Sequence, residues 1–283
     1  MTNESIPPAP ADDDGAPAPR WGRYVALGDS FTEGLWDTDP DDPEHTRGWA
    51  DLLAGTLSAR RVAAGREPLE YANLAIRGRL LGRIVDEQLP VALAAQPDLV
   101  SLVGGGNDIL RPGADSDALA TRLETAVVRL REAGVDVLMA TGIDPADSAV
   151  IRLTRSRVAV FNSHVWSIAH RHGAHVVDLW GMRSLRDWRM WAPDRIHLTT
   201  EGHERVAQAA LVALGLAPDD AAWDDPLTPL PPVARADRVR SDVRWVREFA
   251  YPWAQRRLRR TSSGDARVPK RPQPLPLPGM REI

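Results

Sequence analysis

Between Arg23 and Gly215 the chain alternates five short, almost wholly apolar runs with helical stretches, and this alternation restricts the fold more than any other feature. The runs are "RYVALGD", "LEYANLA", "PDLVSLVGGG", "VDVLMATG" and "AHVVDLW". Strands apolar on both sides are buried on both faces, and strands separated by helices run parallel. The helical stretches cover Gly48–Ala64, Gly78–Gln96, Asp117–Ala133 and Ile151–Arg171, with a last one N-capped by Thr199 or Thr200. Pro90 predicts a kink in the second of these, and Gly134 a C-cap for the third. The expected fold is a three-layer α/β/α sandwich on a five-stranded parallel sheet. Active sites in such sheets lie at the carboxyl ends of the strands.

The division expected along the chain is a disordered leader over 1–20, a catalytic domain over 21–216, a Pro/Asp-rich linker over 217–234 and a basic C-terminal helix with a disordered tail over 235–283. The leader, "MTNESIPPAPADDDGAPAPR", has neither a basic start nor an apolar stretch, so it does not read as a signal peptide. No apolar run is long enough to span a bilayer, and a cytoplasmic location is the expectation. There are no cysteines, which excludes a disulfide scaffold and a thiolate nucleophile. The net charge of −4 is unlike that of a nucleic-acid binder. It is unevenly spread: Pro232 to Ile283 holds 13 Arg/Lys against 5 Asp/Glu, a net of +8, which leaves −12 for the rest.

Four polar stretches fall where strands end: Gly28-Asp29-Ser30, "NLAIRG" (Asn73 to Gly78), "GGND" (Gly105 to Asp108) and "DRIH" (Asp194 to His197). Each alone is also what an ordinary turn looks like, and Ser30 by itself either punctuates a turn or is a nucleophile. Together, in order and spacing, they resemble the SGNH hydrolases, the GDSL-type esterases and lipases, from about Tyr24 to Ala209. The four residues that name that family correspond to Ser30, Gly78, Asn107 and His197. Phe31 departs from the leucine of the GDSL motif, at a position outside the chemistry. The resemblance implies a flavodoxin-like sheet, a catalytic triad of Ser30, His197 and Asp194, and an oxyanion hole made by the backbone N–H groups of Ser30 and Gly78 and the side-chain amide of Asn107. It also implies ester hydrolysis through an acyl-enzyme on Ser30.

The residue types suit those roles. A serine hydroxyl needs a base, histidine serves near neutral pH, and a carboxylate fixes its tautomer. Asp194, three residues before His197, can reach the ring within one turn. Two other readings stay open: an acyltransferase using the same site, and a silent binding domain with a basic surface-binding tail. Expected partners are a small-molecule, lipid or carbohydrate ester and no nucleic acid, with the protein a monomer.

Neither cofactor nor metal is expected. The glycines at 104–106 lack dinucleotide spacing, and the single lysine, Lys270, follows no phosphate loop. His170, His172 and His175 fall at a helix end, where the dipole favours them. Asp39, Asp41, Asp42 and Glu44 form an acidic loop, and Trp36, Trp188 and Trp191 read first as packing residues. Val239, Val243, Val246 and Phe249 recur at helical spacing among arginines. Two uses fit that helix: docking of the apolar stripe on the domain, or weak contact of residues 235–260 with an anionic membrane surface. A chain ending near Leu230 is expected to keep activity, since the assigned residues lie between Ser30 and His197.

Overall fold

Each of the five apolar runs forms a strand in the computed structural model: β1 (Arg23–Leu27), β2 (Glu70–Asn73), β3 (Leu99–Leu102), β4 (Asp136–Ala140) and β5 (His175–Val177). The structure describes residues 19–38, 46–146, 148, 151–231, 234–252, 255 and 262–277. The leader as far as residue 18 and the acidic loop of Asp39, Asp41, Asp42 and Glu44 lie outside the described residues. The five strands pair in parallel. A sixth, β6 (Arg271–Pro276), joins the edge of β2 antiparallel, giving the order β5-β4-β3-β1-β2-β6. Without β6 the order is the flavodoxin-like 2-1-3-4-5, whose switch point lies between β1 and β3.

The helices are α1 (Ser30–Glu33), α2 (Trp49–Ala63), α3 (Leu81–Arg83), α4 (Leu89–Ala94), α5 (Gly106–Ile109), α6 (Ser116–Glu132), α7 (Arg155–His172), α8 (Thr200–Ala213) and α9 (Arg235–Trp245). Two apolar cores make the layers. Leu53 and Leu57 of α2 and Val206 and Leu211 of α8 pack on Tyr24, Ala26, Tyr71 and Leu138. Leu89 of α4, Leu123 and Val127 of α6, and Phe161 and Val165 of α7 pack on Val25, Leu27, Val100 and Val137. Alternate residues of β1 thus face opposite cores, as the period of two requires.

Expectations are corrected at three places. The sheet has six strands rather than five, and the tail is not disordered throughout, because "RPQPLP" forms β6. A strand shows alternate N–H groups to alternate edges. The odd-numbered residues face β2, as Leu277 N–H shows by donating to Leu69 O at 2.9 Å. The prolines at 272, 274 and 276 face outward, where no donor is needed. The pattern that reads as extended Pro-rich chain is therefore also the pattern of a blunted edge strand. Second, the break near Pro90 is taken up by a π-helical turn, Ile84–Gln88, where Leu89 N–H donates to Ile84 O.

Third, α9 does not dock through its valines. Val239, Val243 and Val246 are 54%, 65% and 49% exposed, whereas Trp245 is buried. The indole is the larger apolar surface and carries a donor that finds a partner on the domain. Residues after Leu230 also reach the site itself, with Phe249, Ser262 and Ser263 at the cavity wall. The 217–231 stretch lies along the domain, with Asp224 accepting from the Arg183 and Ser184 amides at 2.7 and 3.2 Å. Among the described residues no helix is long and apolar enough to cross a membrane.

Candidate active site

The turn after β1 is fixed from both sides. A Cβ on Gly28 would lie 2.5 Å from Thr32 Oγ1 and 2.9 Å from Val103 O, so only glycine fits. Gln88 holds the Gly28 backbone with both ends of its amide: it accepts from Gly28 N–H at 2.8 Å and donates to Gly28 O at 2.9 Å. Gln88 is the last residue of the π turn, so that irregularity has a use at the site. Asp29 caps α1 by accepting from Phe31 N–H at 3.1 Å. Ser30 is then the first helical residue, a position whose N–H has no partner within its helix.

Ser30 Oγ lies 2.8 Å from His197 Nε2, and His197 Nδ1 lies 2.6 Å from Asp194 Oδ2. With Asp194 ionised, Nδ1 carries the proton and Nε2 is left to accept from Ser30. Asp194 Oδ1 accepts from the backbone N–H groups of Ile196 and His197, each at 3.0 Å, which is the local turn "DRIH" encodes. Burial is the largest influence on the Asp194 carboxyl and pushes its pKa up. It is outweighed by the His197 ring, by that ring's charge and by the two amides, and the net direction is down. Trp36 donates its indole N–H to Asp194 Oδ2 at 2.7 Å.

Gly78 has φ +74°, in the left-handed region. The turn before it is set by Glu33 of α1, which accepts from Arg77 N–H at 2.6 Å and Arg77 Nε at 2.8 Å. Glu33 thereby ties the Gly78 turn to the Ser30 helix. Asn107 sits in α5, and its amide donates to Asp29 Oδ2 at 3.0 Å and to Arg79 O at 3.2 Å. Burial dominates Asp29 and pushes its carboxyl up to about 6, against the Phe31 amide, His197 and Asn107.

Ser30, Gly78, Asn107, Asp194 and His197 all line one cavity of about 550 Å³. Sequence reasoning gathers these five but misses what holds them. Trp36, read as packing, is 44% exposed and bonds the Asp194 carboxylate. Gln88, Glu33 and Asp29 carry no motif signal, apart from Asp29's place in the triplet. The C-terminal residues Phe249, Ser262 and Ser263 also line the cavity. The histidines near the end of α7 serve elsewhere: His172 Nε2 lies 2.8 Å from Glu124, and His175 Nδ1 donates to Ala213 O at 2.9 Å. Among the described residues no three His, Cys, Asp or Glu side chains are grouped to hold a metal.

A model of the GDSL-like Lipase/Acylhydrolase family matches residues 26–205, the segment that carries all five residues. The chain belongs to that family. A member of the GDSL-like family, it is a serine esterase or lipase acting on ester bonds. No curated protein matches the chain by sequence. Among solved structures it is similar to an alpha/beta hydrolase enzyme from the metagenome of Lake Arreo, at 24% identity and TM-score 0.58, over 69% of this chain and 95% of that one. It is similar also to an acetyl xylan esterase from Geobacillus stearothermophilus, at 19% identity and TM-score 0.58, over 71% and 97%. A third, the psychrotrophic esterase EstA from Pseudoalteromonas sp., shares 17% identity at TM-score 0.54, over 69% and 97%. At these identities the likeness is one of fold. The stretch after residue 205, with α9 and β6, lies beyond the family match.

Proposed function

We propose that this GDSL-like hydrolase cleaves carboxylic esters of apolar acyl groups through an acyl-enzyme on Ser30. The observation that carries the reading is the continuous chain Ser30–His197–Asp194, at 2.8 and 2.6 Å, at the wall of a largely apolar cavity. His197 Nε2 takes the Ser30 proton as Oγ attacks the ester carbonyl, and Asp194 steadies the imidazolium. The oxyanion is met by the N–H groups of Ser30 and Gly78 and by Asn107. One amide hydrogen of Asn107 stays on Asp29 and fixes its orientation. The other leaves the longer bond to Arg79 O for the oxyanion. Collapse returns the proton from His197 to the leaving alcohol, and water repeats the sequence to free the acid and Ser30.

The cavity favours a hydrocarbon chain over a sugar. Val103, Ile109, Ile143, Val158, Phe161 and Leu179 form much of its wall. The hydroxyls of Thr141 and Thr154 are already bonded, to Asp178 and Ile151 O. The test is a series of p-nitrophenyl esters with a Ser30→Ala control. Turnover is expected to vanish in the control, and kcat/KM to rise from acetate by up to about fourfold per methylene, from about 0.8 kcal/mol per buried CH₂, until the cavity is full. Retained turnover in Ser30→Ala defeats the acyl-enzyme reading. A flat or falling series defeats only the apolar-acyl reading.

A further inference from the structure

The turn that carries the acid and the base of the triad is backbone-strained. Among the described non-glycine residues only Trp36, Gln96 and Arg195 have positive φ, at +76°, +50° and +58°. Two of the three flank Asp194: Arg195 follows it in sequence, and Trp36 donates to its carboxylate. Such conformations persist only where surroundings hold them. Both residues are held by the C-terminal segment. Arg195 Nη1 donates to Asp242 Oδ1 at 2.7 Å and Nη2 to Ser241 Oγ at 3.0 Å, both on α9. Its guanidinium also lies 5.5 Å from the Trp245 ring centroid. The Trp245 indole N–H, buried, donates to Asp194 O at 2.8 Å. Phe249, one turn on, meets Trp36 edge-on at 6.4 Å. Asp194 is thus gripped by two indole donors, Trp36 on its carboxylate and Trp245 on its carbonyl, with α9 holding the strained residue between Asp194 and Ile196.

We propose that α9, which lies outside the family match, is a built-in support for the triad, with Trp245 and Asp242 as positioning residues for the Asp194–His197 pair. Neither touches the reacting atoms. Each acts by keeping the "DRIH" turn in the conformation that aims His197 Nε2 at Ser30. The inference rests on the Ser30–His197–Asp194 reading and goes beyond it, because it makes the tail necessary for the chemical step.

The full-length Trp245→Phe and Asp242→Asn variants test this, assayed on p-nitrophenyl acetate, an acyl group too small to use the cavity. Phenylalanine keeps an aromatic ring, smaller than the indole, and removes the donor. Displacements well under 1 Å in a catalytic group cost less than the roughly hundredfold of a full ångström, so kcat should fall about tenfold in each, with KM within twofold. The rate at which a phosphonate inhibitor labels Ser30 should fall in parallel, since it too needs an aimed His197. Arg195→Gly tests the route from Asp242 to the turn, while the split between kcat and KM and the labelling rate separate positioning from a merely structural role. Glycine adopts φ +58° without strain and has no guanidinium for Asp242 to hold, so adding Asp242→Asn to Arg195→Gly should lower kcat no further. Wild-type kcat and labelling in the single variants overturn the proposal, as does a change confined to KM or to Tm. A full additive loss from Asp242→Asn in the Arg195→Gly background overturns it too. Activity surviving in Ser30→Ala would instead overturn the reading beneath it.

Discussion

Burial treats the ionisable groups around Ser30 differently. Asp194 is surrounded by donors and ends below its ordinary pKa, whereas Asp29 has fewer and rises to about 6. His203, one turn into α8, is buried, and its Nδ1 accepts from Trp49 N–H at 3.3 Å, which requires the neutral ring. Burial, the largest influence, lowers its pKa to about 4 against the pull of Asp37. In the unfolded chain it titrates near 6.5. Stability from keeping His203 neutral is therefore full above pH 6.5 and lost as pH falls through 4, about 3 kcal/mol in all. Asp29 and Asp51, both raised to about 6 by burial, act in the opposite sense: their ionisation costs stability above pH 6, and that cost is relieved toward pH 4. The His203→Gln variant should consequently gain Tm relative to wild type as pH falls from 6.5 to 4. A Tm difference that stays constant with pH would reject the assignment. Gly78 offers a sharper case. A Cβ there would lie 2.1 Å from Ser262 Oγ, at a φ that alanine resists. Alanine keeps the backbone N–H but cannot hold this φ beside Ser262, so Gly78→Ala should turn that donor away and cost up to about 10²-fold in kcat, with the fold intact by circular dichroism. An unchanged kcat would remove Gly78 from the oxyanion hole.

At the scale of elements, β6 depends on the parity of its prolines. Pro272, Pro274 and Pro276 leave the outer edge without N–H donors, so a second sheet has nothing to accept from. Replacing all three with threonine should keep the pairing to β2 and open the outer edge, and light scattering should then show association that grows with concentration. A variant that stays as dispersed as wild type would mean the edge is protected by something else. This element also marks where the sequence stops being legible. The five strands and Thr199 as N-cap are local patterns, written in residues a few positions apart. The meeting of Ser30, His197 and Asp194 is legible for the same reason, since Asp194 and His197 are one turn from each other and Ser30 sits in a motif. Trp36 and Trp245 are not, because their partner Asp194 is 158 and 51 residues away and an indole reads as packing wherever it falls. Gln88 reaches Gly28 only because a π turn rotates it there, and periodicity analysis assumes no such turn. Pairing of "RPQPLP" with β2 is a contact across 200 residues, and proline-rich composition points away from a sheet.

For the whole molecule, the tail clamps the domain at three places around the site. Trp245 and Asp242 hold the Asp194 turn. Ser262 sits against Gly78. Lys270, the chain's single lysine, reaches the oxygens of Glu33, Thr46, Arg47 and Asp51 at 2.6, 2.9, 2.5 and 2.7 Å. Glu33 and Arg47 belong to the segment between Ser30 and α2, so the lysine ties β6 to the segment that carries Ser30. Leaving the half-buried Asp51 carboxylate without that cation costs stability. A chain ending at Leu230 would lose all three clamps and expose the edge of β2. It should fold, because both apolar cores are built almost wholly from residues before Leu216, but with a Tm lower by several degrees, since even a loss of 1 kcal/mol moves a domain this size by about 2–4 °C. Its kcat on p-nitrophenyl acetate should fall at least as far as that of Trp245→Phe. The measurement that separates the two effects is kcat at a temperature well below both Tm values, beside Lys270→Met in the full chain. Lys270→Met should lose Tm while keeping most of its kcat, whereas the truncated chain should lose both. Full kcat in a folded truncated chain would show that the domain aims its own triad and that the tail contributes stability alone.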